Sequence, residues 1–471
     1  MQQCRIWRAK QNEGNTINCY FGREGYIYMR RIWIGILLVM AMGSHAQHRT
    51  QVLDSDIRTL RMRYMIEALE PSGTVSRPYL VLPESGVIDG SDEENALEIS
   101  FDEMSHDVRQ YSYRVLHCNM DWTESDISSY EYLKGFTTAD VIDYEHSNNT
   151  QQVYTHYSLS FPNEDMQLTA SGNYVLMVYQ DGDPENVVAQ VCFSVVEPMV
   201  GIDAKVRANT DIEFNGRYQQ LDVDVKTMAL NLRNVEEVKV VVRQNNRTDN
   251  EVKLTKPTFI EPNRLRYVNQ KALIFEGGNE FRHFDTYSTY YAGYHVDMIR
   301  YAQGAYHALL DVDDVRGTKG TGAGREGTPY LTENDANGQW VVNCEKTDYV
   351  DTEAEYMWVH FVLPVKEPVV DGQVFLGGDV AYNQYRADNL MWYDGENGCY
   401  RTALYLKQGG YDYMYYVLNT HNRLTRPANE IDVTTLPLEG SHWQTDNEYC
   451  IMVYYRPFGE RYDRLVGYQV L

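Results

Sequence analysis

Leu97-Glu98-Ile99-Ser100-Phe101-Asp102 alternates apolar and polar side chains without a break. Successive side chains of a strand point to opposite faces, so this stretch has one apolar face and one polar face. The same alternation recurs at Val191-Cys192-Phe193-Ser194-Val195 and at Leu221-Asp222-Val223-Asp224-Val225-Lys226. Continuous apolar runs over 174–179 and 356–363 are predicted as strands buried on both faces. Helical periodicity is scarce, and short helices are expected only at 128–134 and 285–291. The 39 tyrosines fit a strand-rich chain, because aromatic rings suit half-buried pleated surfaces. The expected fold class is all-β, as tandem immunoglobulin-like β-sandwiches. No internal repeat points to a propeller or solenoid.

Prolines suggest the boundaries, since a residue without an N–H cannot continue a ladder. Glu197-Pro198 closes the first run of strands, and Pro364 with Pro368 follows the 356–363 run. The expected division is 47–198, 199–365 and 366–471, with a glycine-rich loop at 317–327 inside the middle segment.

The N-terminus has the order of an export signal. Met29-Arg30-Arg31 precedes an apolar run from Ile32 to Met42, and small residues follow in Gly43-Ser44-His45-Ala46-Gln47. The expected signal peptide is 29–46, with cleavage between Ala46 and Gln47. A run this short falls below the roughly 20 apolar residues of a spanning helix. Residues 1–28 show no targeting pattern, and are expected to be an extension ahead of the true start at Met29.

The chain holds 42 Lys and Arg against 67 Asp and Glu, a net charge of −25, and it is more acidic still without the mostly basic leader. Such a charge opposes non-specific binding to nucleic acid and to anionic lipid. Five cysteines follow the leader, namely Cys118, Cys192, Cys344, Cys399 and Cys450, with no CxxC pair. Their spacing supports neither a zinc ribbon nor a thioredoxin-type site. A Cys118–Cys192 bridge is open to the chain, but buried free thiols are the expectation for a core of this size.

Catalytic motifs are missing. The sequence has no GxSxG elbow and no HExxH. Gly320-Thr321-Gly322-Ala323-Gly324-Arg325 lacks the Gly-Lys-Ser/Thr ending of a phosphate loop and runs into Glu326, so a linker is the better reading. Acidic clusters at 181–183, 311–314 and 334–338 offer oxygens to calcium but lack the closing glutamate, and Asx-rich turns explain them as well. No histidine is assigned a ligand or catalytic role, and no cofactor is expected. In the last segment, residues 374–378, 391–394, 400–404 and 409–413 follow at a spacing that looks like early-set immunoglobulin-like modules found beside glycogen-handling enzymes. Trp392 would be the sugar-stacking candidate there, but the expectation is that it packs in the core.

Longer strings carry a more specific resemblance. They are LEISFDEM (97–104), YSYRVLHCNMDW (111–122), EYLKGF (131–136), YTHY (154–157) with FPN (161–163), SGNYVL (171–176), GNEFRHF (278–284) and YYRPFGERYDRL (454–465). In this order they resemble the plug protein family of the bacterial type IX secretion system. The resemblance implies a non-enzymatic periplasmic protein associated with the inner face of the outer membrane. Its implied partner is the very large β-barrel translocon subunit, which it occludes while no cargo is engaged. The matching positions are Phe101, Asp102, Trp122, Gly135, Gly172, Asn173, Gly278, Asn279, Glu280, Phe281, Arg282 and Arg456, read as turn glycines, core aromatics and strand ends. The rival reading is an exported carbohydrate-binding or polysaccharide-processing β-sandwich protein.

Overall fold

Three pairs of facing, mostly antiparallel sheets build the chain, in a computed structural model that describes residues 47–69, 77–317, 330, 332–333, 335–370, 372–419 and 432–471. The expected signal peptide with Ala46, the extension before it and most of the 317–327 loop lie outside the described residues. His48–Asp394 together with Gly398–Leu471 form a single compact unit. The all-β expectation holds, with β-sandwiches throughout.

In the first sandwich, one sheet runs in the order Gln51–Val52, Val187–Val196, Gly172–Gln180, Tyr111–Cys118, Thr138–Val141, with Leu80–Val81 added parallel to Val187–Val196. The facing sheet runs Ile57–Tyr64, Leu97–Glu103, Thr155–Phe161, Asp143–His146. Between them lie Leu97, Ile99, Phe101, Tyr157, Tyr174, Leu176 and Phe193. The polar partners in the opening stretch, Glu98, Ser100 and Asp102, are buried too. Their face is covered by the rest of the molecule, which alternation alone does not reveal.

The second sandwich is assembled from distant parts of the sequence. Its first sheet is Gly201–Arg207, Tyr218–Lys226, Arg264–Tyr267, Phe259–Glu261, with Ile274–Glu276 also on Tyr218–Lys226. Its second is Val252–Leu254, Val238–Gln244, Tyr449–Tyr455, Arg464–Val470. Val238, Val240 and Val242 meet Tyr449, Ile451 and Val453 in the core. The third sandwich is inserted between Ile274–Glu276 and Tyr449–Tyr455. One of its sheets centres on Gly409–Asn419, which pairs with Arg282–Asp285, Trp340–Val342, Gly372–Gly377 and Val433–Thr434. The other runs Val296–Ala302, Ala305–Leu310, Tyr356–Pro364, Cys399–Lys407, Trp392–Asp394.

This pairing corrects the boundary expected at 365/366. Tyr356–Pro364 pairs over its length with Cys399–Lys407, Val238–Gln244 pairs with Tyr449–Tyr455, and Arg282–Asp285 and Trp340–Val342 both pair with Gly409–Asn419, so four ladders cross that boundary. The prolines end strands there without ending a domain. The helix expected at 285–291 does not form: Asp285 is the last residue of a strand, and the Thr286 N–H donates to the Gly409 carbonyl. At 128–134 only Ser129–Tyr132 is helical, closed by a capping box between Ser128 and Glu131. Leu133–Gly135 then continues as a strand on Met166–Leu168.

The two long apolar runs part company. Gly172–Gln180 is buried at every position but its last. Tyr356–Pro364 alternates: Met357, Val359, Phe361 and Leu363 enter the core, while Trp358 is 40% exposed. Trp392 also departs from expectation and is 59% exposed. It sits in a three-residue edge strand, opposite Arg401, while neighbouring Met391 and Tyr393 turn to the core. Cys118, Cys192, Cys344, Cys399 and Cys450 are free, and burial pushes the Cys118 and Cys192 thiols up.

Candidate functional site at the joints between the sandwiches

Asp102 ends the opening stretch on a strand whose outer face meets the third sandwich. Its carboxyl is fully buried. Tyr356 OH and Lys407 Nζ, both from the third sandwich, donate to Oδ2 at 2.6 and 2.7 Å. His156 Nδ1 lies 2.6 Å from Oδ1. Burial works to raise Asp102, but Lys407 and His156 outweigh it and hold the carboxyl below its ordinary value. Burial lowers the Lys407 ammonium, with Asp102 opposing. Lys407 also donates to the Asp351 carbonyl at 2.6 Å and lies over the Tyr154 ring at 4.3 Å. Asp351 in turn accepts from Arg61 at 2.6 Å and from Arg63 at 3.3 Å. Every charge at this joint has a partner from the opposite sandwich or an adjacent strand.

The joint between the first and second sandwiches turns on Asn173. Its Oδ1 accepts from Ser194 Oγ and from Tyr454 OH, each at 2.9 Å, and its Nδ2 donates to the Asn119 carbonyl at 3.1 Å. Asp463 accepts from the Met120 N–H at 3.2 Å and from Lys239 Nζ at 3.2 Å. Val196, Val241, Met452, Tyr454 and Leu465 make the apolar part of the seam.

Two polypeptide connectors enter and leave the inserted sandwich, and GNEFRHF is one of them. Arg282 is the anchor. It donates to Asp313 Oδ1 at 2.7 Å, to Glu439 Oε1 and Oε2 at 3.0 and 2.8 Å, and to the Asp314 carbonyl at 2.8 Å. Tyr413 and Tyr415 OH donate to Asp313 Oδ2 at 2.8 and 2.6 Å. The acidic cluster at 311–314 thus serves a buried arginine. Asn279 Nδ2 donates to the Glu439 carbonyl at 2.9 Å, tying one connector to the other. Gly278 takes φ +65, and its N–H donates to Ser441 Oγ.

One residue belongs to all three bodies. Arg77, just ahead of Leu80–Val81, donates to Glu448 Oε1 at 2.5 Å in the second sandwich and to Asp379 Oδ2 at 2.5 Å in the third. Its remaining nitrogen donates to the Asn337 carbonyl at 3.0 Å. No motif pointed to Arg77, Lys407, Tyr356 or Glu439; each lies far in sequence from what it binds.

The other predicted positions are local. Phe101 packs against the Tyr111 and Tyr157 rings. Trp122, at φ +65, receives the Arg243 guanidinium at 5.6 Å from its ring. At Gly172, φ is +140 and a Cβ would clash with His117 Nε2. A Cβ at Gly135 would clash with the Asp165 carbonyl oxygen in the same way. Phe281 joins Met414 and Tyr416 in a small cluster, and its N–H donates to Asp335. Glu280 accepts from Tyr330 OH and the Asp446 N–H, with burial raising its carboxyl. Arg456 Nη2 donates to the Arg461 carbonyl at 2.5 Å, shaping the last turn.

The cluster Asp102, His156, Lys407 and Tyr356 contains the groups of an acid–base site, but Asp102 and Lys407 are 0% and 1% exposed and its hydrogen bonds are internal. Its chemistry is structural. Among the described residues no group of three or more His, Cys, Asp or Glu is placed to hold a metal ion, and no helix is long and apolar enough to cross a membrane.

Residues 85–197, the greater part of the first sandwich, match the family model described as the type 9 secretion system plug protein 1st domain. A crystal structure of a hypothetical protein from Parabacteroides merdae ATCC 43184 is similar at 36% identity and a TM-score of 0.80, covering 90% of this chain and 99% of that one. No curated protein matches.

Proposed function

Because this chain belongs, through its first sandwich, to the type 9 secretion system plug protein family, we propose that it occludes the secretion channel as a single rigid body, without catalysis. The observation that carries this reading is the set of joints. A plug must resist deformation and leave or enter as a unit. Arg77, partly buried, and the buried Asp102–Lys407 pair hold the sandwiches together through partnered charges, while Arg282–Glu439 ties the two connectors to the inserted sandwich. Breaking such a pair by moving one partner away leaves an uncompensated charge, at a cost of about 3–5 kcal/mol. Relative motion of the sandwiches is therefore opposed at Arg77, at Asp102–Lys407 and at the Asn173–Tyr454 seam. Exchange between a seated and a withdrawn state is then a movement of the whole protein against its partner. The partner is the very large outer-membrane β-barrel subunit, met from the periplasmic side.

The test has two arms. Affinity purification of the protein from outer-membrane extracts should bring down a barrel subunit of very high mass. Deletion of the gene should make the outer membrane permeable to large solutes. Recovery without a barrel, together with unchanged permeability, would overturn the proposal.

A further inference from the structure

Both sheets of the first sandwich end in one continuous stretch of chain. Thr138–Val141 is the last strand of one sheet, on Tyr111–Cys118, and Asp143–His146 is the last strand of the other, on Thr155–Phe161. Ile142 alone separates them, so the chain steps from sheet to sheet at that residue. Asp143, Tyr144, Glu145 and His146 are all exposed. Their outer side pairs with no other strand among the described residues, which leaves alternate N–H and C=O groups open to another chain.

Other outermost strands are blunted. Ile57–Tyr64 carries Arg58, Arg61 and Arg63 and a register shift, and Val296–Ala302 carries Arg300 and a register shift. Gly201–Arg207 carries Lys205 and Arg207. Basic side chains and bulges of this kind protect an edge. Residues 138–146 contain no Lys, Arg or Pro, and both of their ladders run without a shift. Their charge is acidic instead. Asp140 accepts from Ser112 Oγ at 2.6 Å, while Asp143 and Glu145 have no ion pair among the described residues. Residues 85–197 as a whole hold 21 Asp and Glu against 3 Lys and Arg. Tyr144 is opposite the core residue Tyr157 yet 45% exposed, and Ile142 is 76% exposed. The edge therefore alternates apolar side chains at 142 and 144 with carboxylates at 143 and 145.

We propose that the 142–146 edge takes up an extended segment of a partner protein as an added strand, one in which Lys or Arg alternates with apolar residues. Main-chain hydrogen bonds to the open edge supply the pairing. Successive side chains of the added strand face opposite ways, so its apolar residues cover Ile142 and Tyr144 while its cations face Asp143 and Glu145. Opposite charges across a strand pair stabilise it and like charges oppose it. The same rule disfavours a second copy of this chain, whose own carboxylates would stand against these. The edge is independent of the plug reading.

Fluorescence anisotropy of labelled heptapeptides titrated with the full chain tests it. Lys-Val-Arg-Val-Lys-Val-Arg should bind at least tenfold tighter than Glu-Val-Glu-Val-Glu-Val-Glu, whose charge is wrong. It should also bind at least tenfold tighter than Lys-Pro-Arg-Pro-Lys-Pro-Arg, whose charge is right but whose prolines cannot donate to a ladder. The double variant Asp143→Lys, Glu145→Lys should lose at least tenfold in affinity for the first peptide, with melting curves confirming that it is folded. In the parent protein, that peptide should slow hydrogen exchange at the amides of 142–146. Equal binding of the proline peptide, undiminished binding by the double variant, unchanged exchange, or no binding of the first peptide overturns the proposal.

Discussion

Lys407 Nζ and Asp102 Oδ2 lie 2.7 Å apart, joined across two sandwiches although 305 positions separate them in the chain. Neither reaches solvent, so each depends on the other for the charge it carries.

Lys407→Met should therefore destabilise the protein by about 3–5 kcal/mol, because Asp102 is left charged and buried. Adding Asp102→Asn should recover a substantial part of that loss, since the second change removes the stranded charge. Urea unfolding of the two single variants and the double variant measures both. Purely additive losses would mean that the pair is not coupled.

Arg77→Gln tests whether the sandwiches are pinned where all three meet. It removes the charge from two ion pairs, with Glu448 and Asp379, and should cost about 3 kcal/mol. Hydrogen exchange should quicken first at the seams, around Glu448 and Asp379, before the sandwich cores. Exchange that quickens uniformly would place the effect elsewhere.

Gly172→Ala should be strongly destabilising for a backbone reason. The residue sits at φ +140, and a methyl there would meet the His117 ring. A loss above about 2 kcal/mol is expected, from strain and from displacement of His117, which bonds Ser125 and the Ser171 carbonyl. His117→Ala in the same background should relieve only the steric share.

Asp335 gives a pH dependence whose sign is definite. Burial and nearby Asp412 push its carboxyl up to about 7, so between roughly pH 4 and 7 the folded chain holds a proton that the unfolded chain has lost. The contribution is present at low pH and is lost as pH rises through 7. Asp335→Asn should remove this slope, and relative to the parent the variant should gain stability from pH 5 to pH 8. Denaturant midpoints at several pH values report the difference; parallel profiles would refute it.

Much of the strand content was legible from alternation, because a strand with one buried face writes a period of two into its own residues. Leu97–Glu103 and Tyr218–Lys226 are strands for that reason. The family strings were legible too, and they include Asp102, Asn173 and Arg282, which the structure places at joints. Trp358 was misread inside an apolar run: a large aromatic on an open face has the same composition as one in a core.

By itself the sequence determined local matters: strands, turn glycines, the acidic balance and the family of the first sandwich. The tertiary structure alone decided that the third sandwich interrupts the second, and that Asp102 meets Lys407. Local periodicity reports only whether a face is covered. Which distant strand covers it, and which charge answers another across a seam, depends on packing between residues hundreds of positions apart.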